Sequence, residues 1–222
     1  MIVAAVPAKG FAAAKQRLAG VLKPAERARL ARTMLADVLA AVTAARLDRA
    51  WVVTADPEVC ALAAAAGLEP LREEASRGHT AAVALAQARA DALGARVFVT
   101  IPGDAPLVTA AEIDALAAAV TGPRMAAFAP SRSRRGTNGV ALAPPFVMGL
   151  RFGEPSFANH VAEAQRLGLA VRVLSLPGLG LDVDGPADLA DALRESGATA
   201  TGRLLADLGL ADRLGARAAA AR

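Results

Sequence analysis

Val97-Phe98-Val99-Thr100-Ile101-Pro102-Gly103-Asp104-Ala105-Pro106-Leu107 continues from a buried strand expected over Arg96–Ile101 and delivers one carboxylate at that strand's C-terminal end. The apolar run has the near-continuous character of a strand covered on both faces. Gly103 and Pro106 then fix a turn around Asp104. A carboxylate in that position suits a hard cation, which takes oxygen ligands and keeps substrate phosphates in its shell. A helix cap or a polar turn would also use an Asp there.

Outward from this strand, short β-rich runs alternate with Ala/Leu-rich helical stretches, the pattern of an α/β protein with a largely parallel sheet. Strands are expected at Ile2–Val6, Trp51–Thr54, Leu68–Leu71, Met125–Ala129, Gly139–Leu142 and Val171–Leu174. Pro24 sits at a first helical position and opens a segment in which Leu30, Met34, Val38 and Val42 recur at helical spacing. Further helices are expected from Pro57 to about Ala66, Thr80–Leu93, Ala110–Val120, near Phe157–Leu167, and after Pro186. Residues 198–222 read as a helix that frays into an Ala/Arg tail. With no internal repeat and no linker, 222 residues make one domain.

Composition narrows the function classes. The mean hydropathy is positive, at +0.38, yet no long apolar stretch lacks a charge or a Pro. The longest uncharged run, Gly136 to Leu150, is broken by Pro144 and Pro145. The N-terminus has no basic leader before its apolar residues, so a cytoplasmic protein is expected. Cys60 is the only cysteine, which excludes an intrachain disulfide. The net charge is +4, but the basic residues are spread among acidic ones and Tyr is absent. That leaves little aromatic surface for base stacking, and a small anionic substrate explains the basic clusters as well as nucleic acid does.

Three further segments carry chemistry. Lys9, Lys15 and Arg17 lie in the loop after the first strand, where parallel sheets form their ligand crevice. Cations and backbone N–H groups there can hold a triphosphate, although the loop lacks the Gly-Lys-Ser/Thr ending of a Walker A motif. A solvated basic loop would have the same composition. In Leu181-Asp182-Val183-Asp184-Gly185-Pro186, extended alternation puts Asp182 and Asp184 on one side. Two such carboxylates repel unless a cation or proton lies between them. Asp188 then serves the first turn of the next helix. The third segment is split: Gly136-Thr137-Asn138 and Phe152-Gly153-Glu154-Pro155-Ser156-Phe157 offer hydroxyls and glycines suited to a phosphate or carboxylate. His160 shares a helical face with Ser156, where a structural histidine is the commoner case.

Taken in order, these motifs resemble the 2-phospho-L-lactate guanylyltransferase family of coenzyme F-420 biosynthesis, whose relatives use phosphoenolpyruvate or 3-phosphoglycerate. The matching elements are P-x-K-x-x-x-x-x-K-x-R-L at Pro7–Leu18, P-x-D-x-P at Pro102–Pro106, G-T-N at Gly136–Asn138, F-G-x-x-S-F at Phe152–Phe157 with His160, and L-D-V-D-x-P at Leu181–Pro186. The resemblance implies a single Rossmann-like domain of the GT-A nucleotidyltransferase kind, shared with molybdenum-cofactor guanylyltransferases and sugar-nucleotide pyrophosphorylases. It implies that Asp104, Asp182 and Asp184 bind Mg²⁺, and that Thr137, Gly153 and Ser156 hold the phosphorylated acid. Lys9, Lys15 and Arg17 would handle the nucleotide phosphates, with Lys15, Arg17 and Asp104 as the catalytic set.

Gly78-His79-Thr80 departs from the family's usual G-L-N near the nucleotide base. Gly78 and Thr80 remain expected nucleotide contacts, but the Asn amide with its paired donor and acceptor is gone. The implied partners are GTP and a small phosphorylated acid, with no nucleic acid or membrane, and a homodimer as the assembly to test for. Transfer to a sugar phosphate or pterin, use of another NTP, and a non-catalytic nucleotide-binding protein on the same fold stand as alternatives.

Overall fold

The computed structural model describes the backbone of residues 1–220 and the side chains of residues 1–215. Seven strands form one sheet: β1 Ile2–Pro7, β2 Arg49–Thr54, β3 Glu69–Arg72, β4 Val97–Thr100, β5 Met125–Pro130, β6 Thr137–Ala143 and β7 Ala170–Val173. The helices are α1 Pro24–Ala44, α2 Pro57–Ala65, α3 His79–Ala92, α4 Ala110–Ala118, α5 Ser156–Arg166, α6 Pro186–Glu195, α7 Ala200–Asp207 and α8 Leu210–Ala220.

The strand order is β3-β2-β1-β4-β6-β5-β7, and every pairing is parallel except those made by β6. The chain works outward from β1 to β3, then returns to place β4 on the other side of β1. Ligands of open α/β sheets bind at such a reversal, beyond the carboxyl ends of the strands. Because β6 runs antiparallel, its first residues lie at that same edge; Thr137 is in register with Pro130 at the end of β5.

Strand alternation sorts the core into two layers. Ala4, Val6, Val97, Val99 and Ala127 face α1, α2 and α4, packing on Leu35, Val38, Val59 and Ile113. Val3, Ala5, Trp51, Phe98, Phe128 and Val140 face α3 and α5, packing on Val83, Ala86, Phe157 and Ala164. Full burial of an aromatic such as Phe98 or Phe128 contributes about 1.5–3 kcal/mol. A third cluster lies outside the sheet. Leu18, Leu22, Leu30 and Met34 meet Leu181, Val183 and Leu189, closed over by Leu204, Leu205 and Leu210. It ties the basic loop and the second acidic loop to the C-terminal helices.

Most element ends lie one or two residues from the sequence reading, and two of the differences have a clear structural cause. β6 begins at Thr137 rather than Gly139, because pairing with Pro130 and bonds from distant side chains satisfy its first residues. The C-terminal segment is two helices, broken where Gly209 takes φ +60°, a left-handed conformation natural to glycine. Residues 221 and 222 of the expected fraying tail lie outside the described residues. Among the described residues no helix is long and apolar enough to cross a membrane.

Candidate active site

The loop after β1 is fixed at both ends by apolar anchors. Phe11 enters the core beneath the sheet, and Leu18, in a short 3-10 turn over Gln16–Leu18, is fully buried in the third cluster. Between them Lys15 adopts φ 53°, a left-handed conformation that is costly for a residue with a Cβ. That conformation turns its side chain inward, and only 8% of it remains exposed. Its ammonium donates to Asp104 Oδ2 at 2.5 Å and to Asp184 Oδ1 at 3.1 Å. Burial pulls the Lys15 pKa down, but the charges and hydrogen bonds of the two carboxylates outweigh it, leaving the pKa above the ordinary lysine value. The loop is therefore more than a solvated basic segment at Lys15. Arg17 remains largely exposed, 3.6 Å from Asp184 Oδ2, and Lys9 is exposed.

The 181–184 segment docks on the Asp104 turn, the Val183 N–H donating to the Asp104 carbonyl at 3.1 Å. Leu181 and Val183 are buried, so alternation leaves Asp182 and Asp184 on the other side, as the sequence predicts. Asp184 meets Lys15, whereas Asp182 Oδ1 accepts from Asn138 Nδ2 at 2.9 Å. Burial raises the Asp182 pKa; the Asn138 bond opposes this, and the negative charges of Asp104 and Asp184 add to it. Asp188 accepts from the N–H groups of Asp184 and Gly185, the helix-start role expected of it.

These residues suit a hard divalent cation in donor chemistry, being carboxylate oxygens close enough to repel one another. Two of them converge on a single positive charge, which Lys15 supplies. Among the described residues, no three Asp, Glu, His or Cys side chains are grouped as a ready-made ligand set.

A cavity of about 720 Å³ opens beside this cluster, lined by the Pro7–Arg17 loop and by Ser76, His79, Asp104 and Asp184. Such a volume suits a nucleotide-sized ligand. Gly10 lets the loop pass close to α2, since a Cβ there would lie 2.2 Å from Asp56 Oδ2. Asp56 is itself fixed as the cap of α2, accepting from Glu58 and Val59 N–H groups. Gly78, Thr80, Asp182, Thr137, Gly153 and Ser156 do not line the cavity. At the 78–80 turn it is His79 that does so.

The hydroxyl cluster forms a second group alongside. Thr137 N–H donates to Ser156 Oγ at 3.0 Å, and Ser156 Oγ donates to Thr137 Oγ1 at 3.2 Å. Gly153, with φ +117°, turns the loop leading to α5, and an Arg135–Glu154 ion pair at 2.9 Å spans the same region. Two links join this group to the cavity side. Thr80 Oγ1 accepts from the Phe152 N–H at 3.0 Å, and Asn138, next to Thr137, holds Asp182.

Against known proteins, the sequence matches the family described as Guanylyl transferase CofC like over residues 2–219. The chain belongs to that family. It is similar to a phosphoenolpyruvate guanylyltransferase of Conexibacter woesei, at 41% identity over 86% of each chain. Its identity is 36% to a 3-phospho-D-glycerate guanylyltransferase of Phenylobacterium zucineum, covering 94% of this chain and 97% of the relative. Identity is also 36% to a 2-phospho-L-lactate guanylyltransferase of Methanothermobacter thermautotrophicus, covering 86% and 83%. Among solved structures it is similar to a Desulfovibrio desulfuricans protein described as a candidate nucleotide-diphospho-sugar transferase, with TM-score 0.75, 18% identity, and 93% and 94% coverage. That last likeness shows a shared fold alone.

Within this guanylyltransferase frame, four residues carry more of the site's geometry than their sequence signals suggest. Asn138 is legible only as the last letter of G-T-N. Asp56 stands in an Asp-Pro step before a helix, and nothing in the sequence places it against Gly10. His79 shows only as the middle residue of the altered 78–80 turn, and His160 only as a residue one helical turn after Ser156. Their positions come from tertiary packing.

Proposed function

We propose that the chain transfers GMP from GTP to a small phosphorylated acid, releasing pyrophosphate, as a step toward coenzyme F-420. The observation that carries this reading is the meeting of Lys15, Asp104 and Asp184 at the mouth of the cavity formed by the basic loop. The family and the named relatives support guanylyl transfer to a phosphorylated acid. They include enzymes named for phosphoenolpyruvate, 3-phospho-D-glycerate and 2-phospho-L-lactate.

In this reading Lys9, Lys15 and Arg17 neutralise the triphosphate, and the 78–80 turn faces the nucleoside through His79. Thr137, Gly153 and Ser156 hold the acceptor. A phosphate oxygen of the acceptor forms a bond to the α-phosphorus, and the bond from that phosphorus to the β-phosphate's bridging oxygen breaks. The electron pair leaves with pyrophosphate. The acceptor phosphate is anionic at neutral pH, so no protein nucleophile is required. Catalysis comes from alignment and from fixed charge around the reacting phosphates. Asp104, Asp182 and Asp184 would hold Mg²⁺, which supplies further neutralisation of phosphate charge when bound.

Asp104→Asn and Asp184→Asn test the assignment. Each is expected to stay folded, with a melting temperature lowered because buried Lys15 loses one of its two carboxylate charges, while losing nearly all pyrophosphate release from GTP plus acceptor. Near-normal release in either variant would overturn the three-carboxylate assignment.

A further inference from the structure

His160 is 2% exposed and is held on four sides. Its ring lies parallel to Phe128, with centroids 5.8 Å apart, and meets Phe152 edge-on at 5.2 Å. Nε2 lies 2.9 Å from the backbone nitrogen of Arg151, and Nδ1 lies 3.0 Å from Thr137 Oγ1. These contacts determine where the protons are. A backbone N–H can only donate, so Nε2 must be the accepting, unprotonated nitrogen. A neutral imidazole then carries its proton on Nδ1 and donates it to Thr137 Oγ1. Burial keeps the ring neutral, lowering its pKa to about 4.

Thr137 Oγ1 also receives the Ser156 hydroxyl proton. A hydroxyl oxygen has two lone pairs, and here both are taken. The Thr137 hydroxyl is left with one capacity, to donate its own proton. The Ser156 proton is likewise committed, so of the two hydroxyls Thr137 alone presents a donor.

We propose that His160 is a positioning residue that fixes the Thr137 hydroxyl as an obligate donor to an anionic oxygen of the phosphorylated acceptor. This rests on the functional reading above and assigns the polarity of its acceptor pocket. A donor-only hydroxyl favours phosphate or carboxylate oxygens and rejects an acceptor that offers a hydrogen-bond donor at that point. The Phe152 ring that packs on His160 also packs on His79, with centroids 4.3 Å apart, and His79 lines the nucleotide cavity. Phe152 thus links the ring of His160 to a residue that lines that cavity.

Two measurements test this. Long-range ¹H–¹⁵N correlation spectra of the full, ligand-free chain at neutral pH read the tautomer directly. Only two histidines are present, and a His79→Asn variant separates their signals. His160 is expected as the neutral tautomer protonated on Nδ1; protonation on Nε2, or on both nitrogens, overturns the proposal. Steady-state kinetics with GTP and phosphoenolpyruvate supply the second test. Thr137→Val is expected to raise the acceptor KM about ten-fold or more, the loss typical of a hydrogen bond to a charged group, with the GTP KM little changed. Thr137→Ser should recover most of that loss. His160→Gln, whose amide both donates and accepts, should recover part of the loss seen in His160→Leu. An unchanged acceptor KM, or an equal rise in both KM values, overturns it. The tautomer is read without substrate, so the hydrogen-bond polarity is decided whether or not the functional reading holds.

Discussion

Lys15 and Asp182 occupy opposite electrostatic positions within one small cluster. Lys15 gains a partner in each of two carboxylates, whereas Asp182 has a neutral amide and two like charges nearby. A carboxyl whose folded pKa is raised binds its proton more tightly in the folded chain than in the unfolded one. Ionising it therefore lowers stability as pH rises through that interval, and the penalty is fully present above the folded pKa. Asp182→Asn keeps the oxygen that accepts from Asn138 and removes the charge. At neutral pH the variant should melt roughly 2 °C or more above wild type, while turnover falls about 100-fold. Calorimetry and pyrophosphate release measure the two effects, and a lower melting temperature would refute the charge argument. At this scale the sequence reveals residue type and alternation. Asp182 and Asp184 do lie on one side of the segment, yet only the fold tells which of them meets Lys15 and which meets Asn138.

The acidic loop between β7 and α6 is held against the start of α4 by a close backbone approach. Gly178 N–H donates to Glu112 Oε1 at 2.8 Å, and a Cβ on Gly178 would lie 2.1 Å from the Leu107 carbonyl oxygen. Backbone cannot yield as a flexible side chain does. Gly178→Ala should therefore cost about 1–3 kcal/mol and shift the loop that carries Asp182 and Asp184, seen as a lower melting temperature with reduced activity. Wild-type stability in that variant would contradict the packing. Strands and helices are legible at this scale because their periodicities are local: the buried Val97–Thr100 run and the helical spacing of Leu30, Met34 and Val38 both appear where expected. The start of β6 was not legible. Thr137 and Asn138 read as loop residues, and the partners that make them strand-compatible, Ser156 and Leu179, lie far along the chain.

Across the whole molecule, the third apolar cluster joins the basic loop, the acidic loop and the last two helices into one packing unit. Asp37 of α1 reinforces it by accepting from the first N–H groups of α7, at Ala200 and Thr201. Asp37→Ala should destabilise by about 1 kcal/mol, as loss of a helix cap does. Removing residues 198–222 should cost far more, exposing Leu18, Leu30 and Val183 where Leu204, Leu205 and Leu210 had covered them. Thermal melts of both variants measure this, and a truncated chain as stable as Asp37→Ala would contradict the cluster's role. The sequence shows helical character in this segment but no sign that it buttresses the loops carrying Lys15 and Asp184, because its apolar stripe has no partner until the chain is folded. The motif order points to guanylyl transfer, and the candidate site residues Asp104 and Lys15 follow β4 and β1, the strands at the sheet reversal. The most direct measurement incubates the protein with Mg²⁺, each of the four NTPs, and 2-phospholactate, phosphoenolpyruvate or phosphoglycerates, and identifies the products by mass spectrometry. The account predicts a GMP conjugate of a phosphorylated acid together with pyrophosphate, formed from GTP in preference to the other nucleotides; GTP bound without pyrophosphate release, whatever the acceptor, would contradict it.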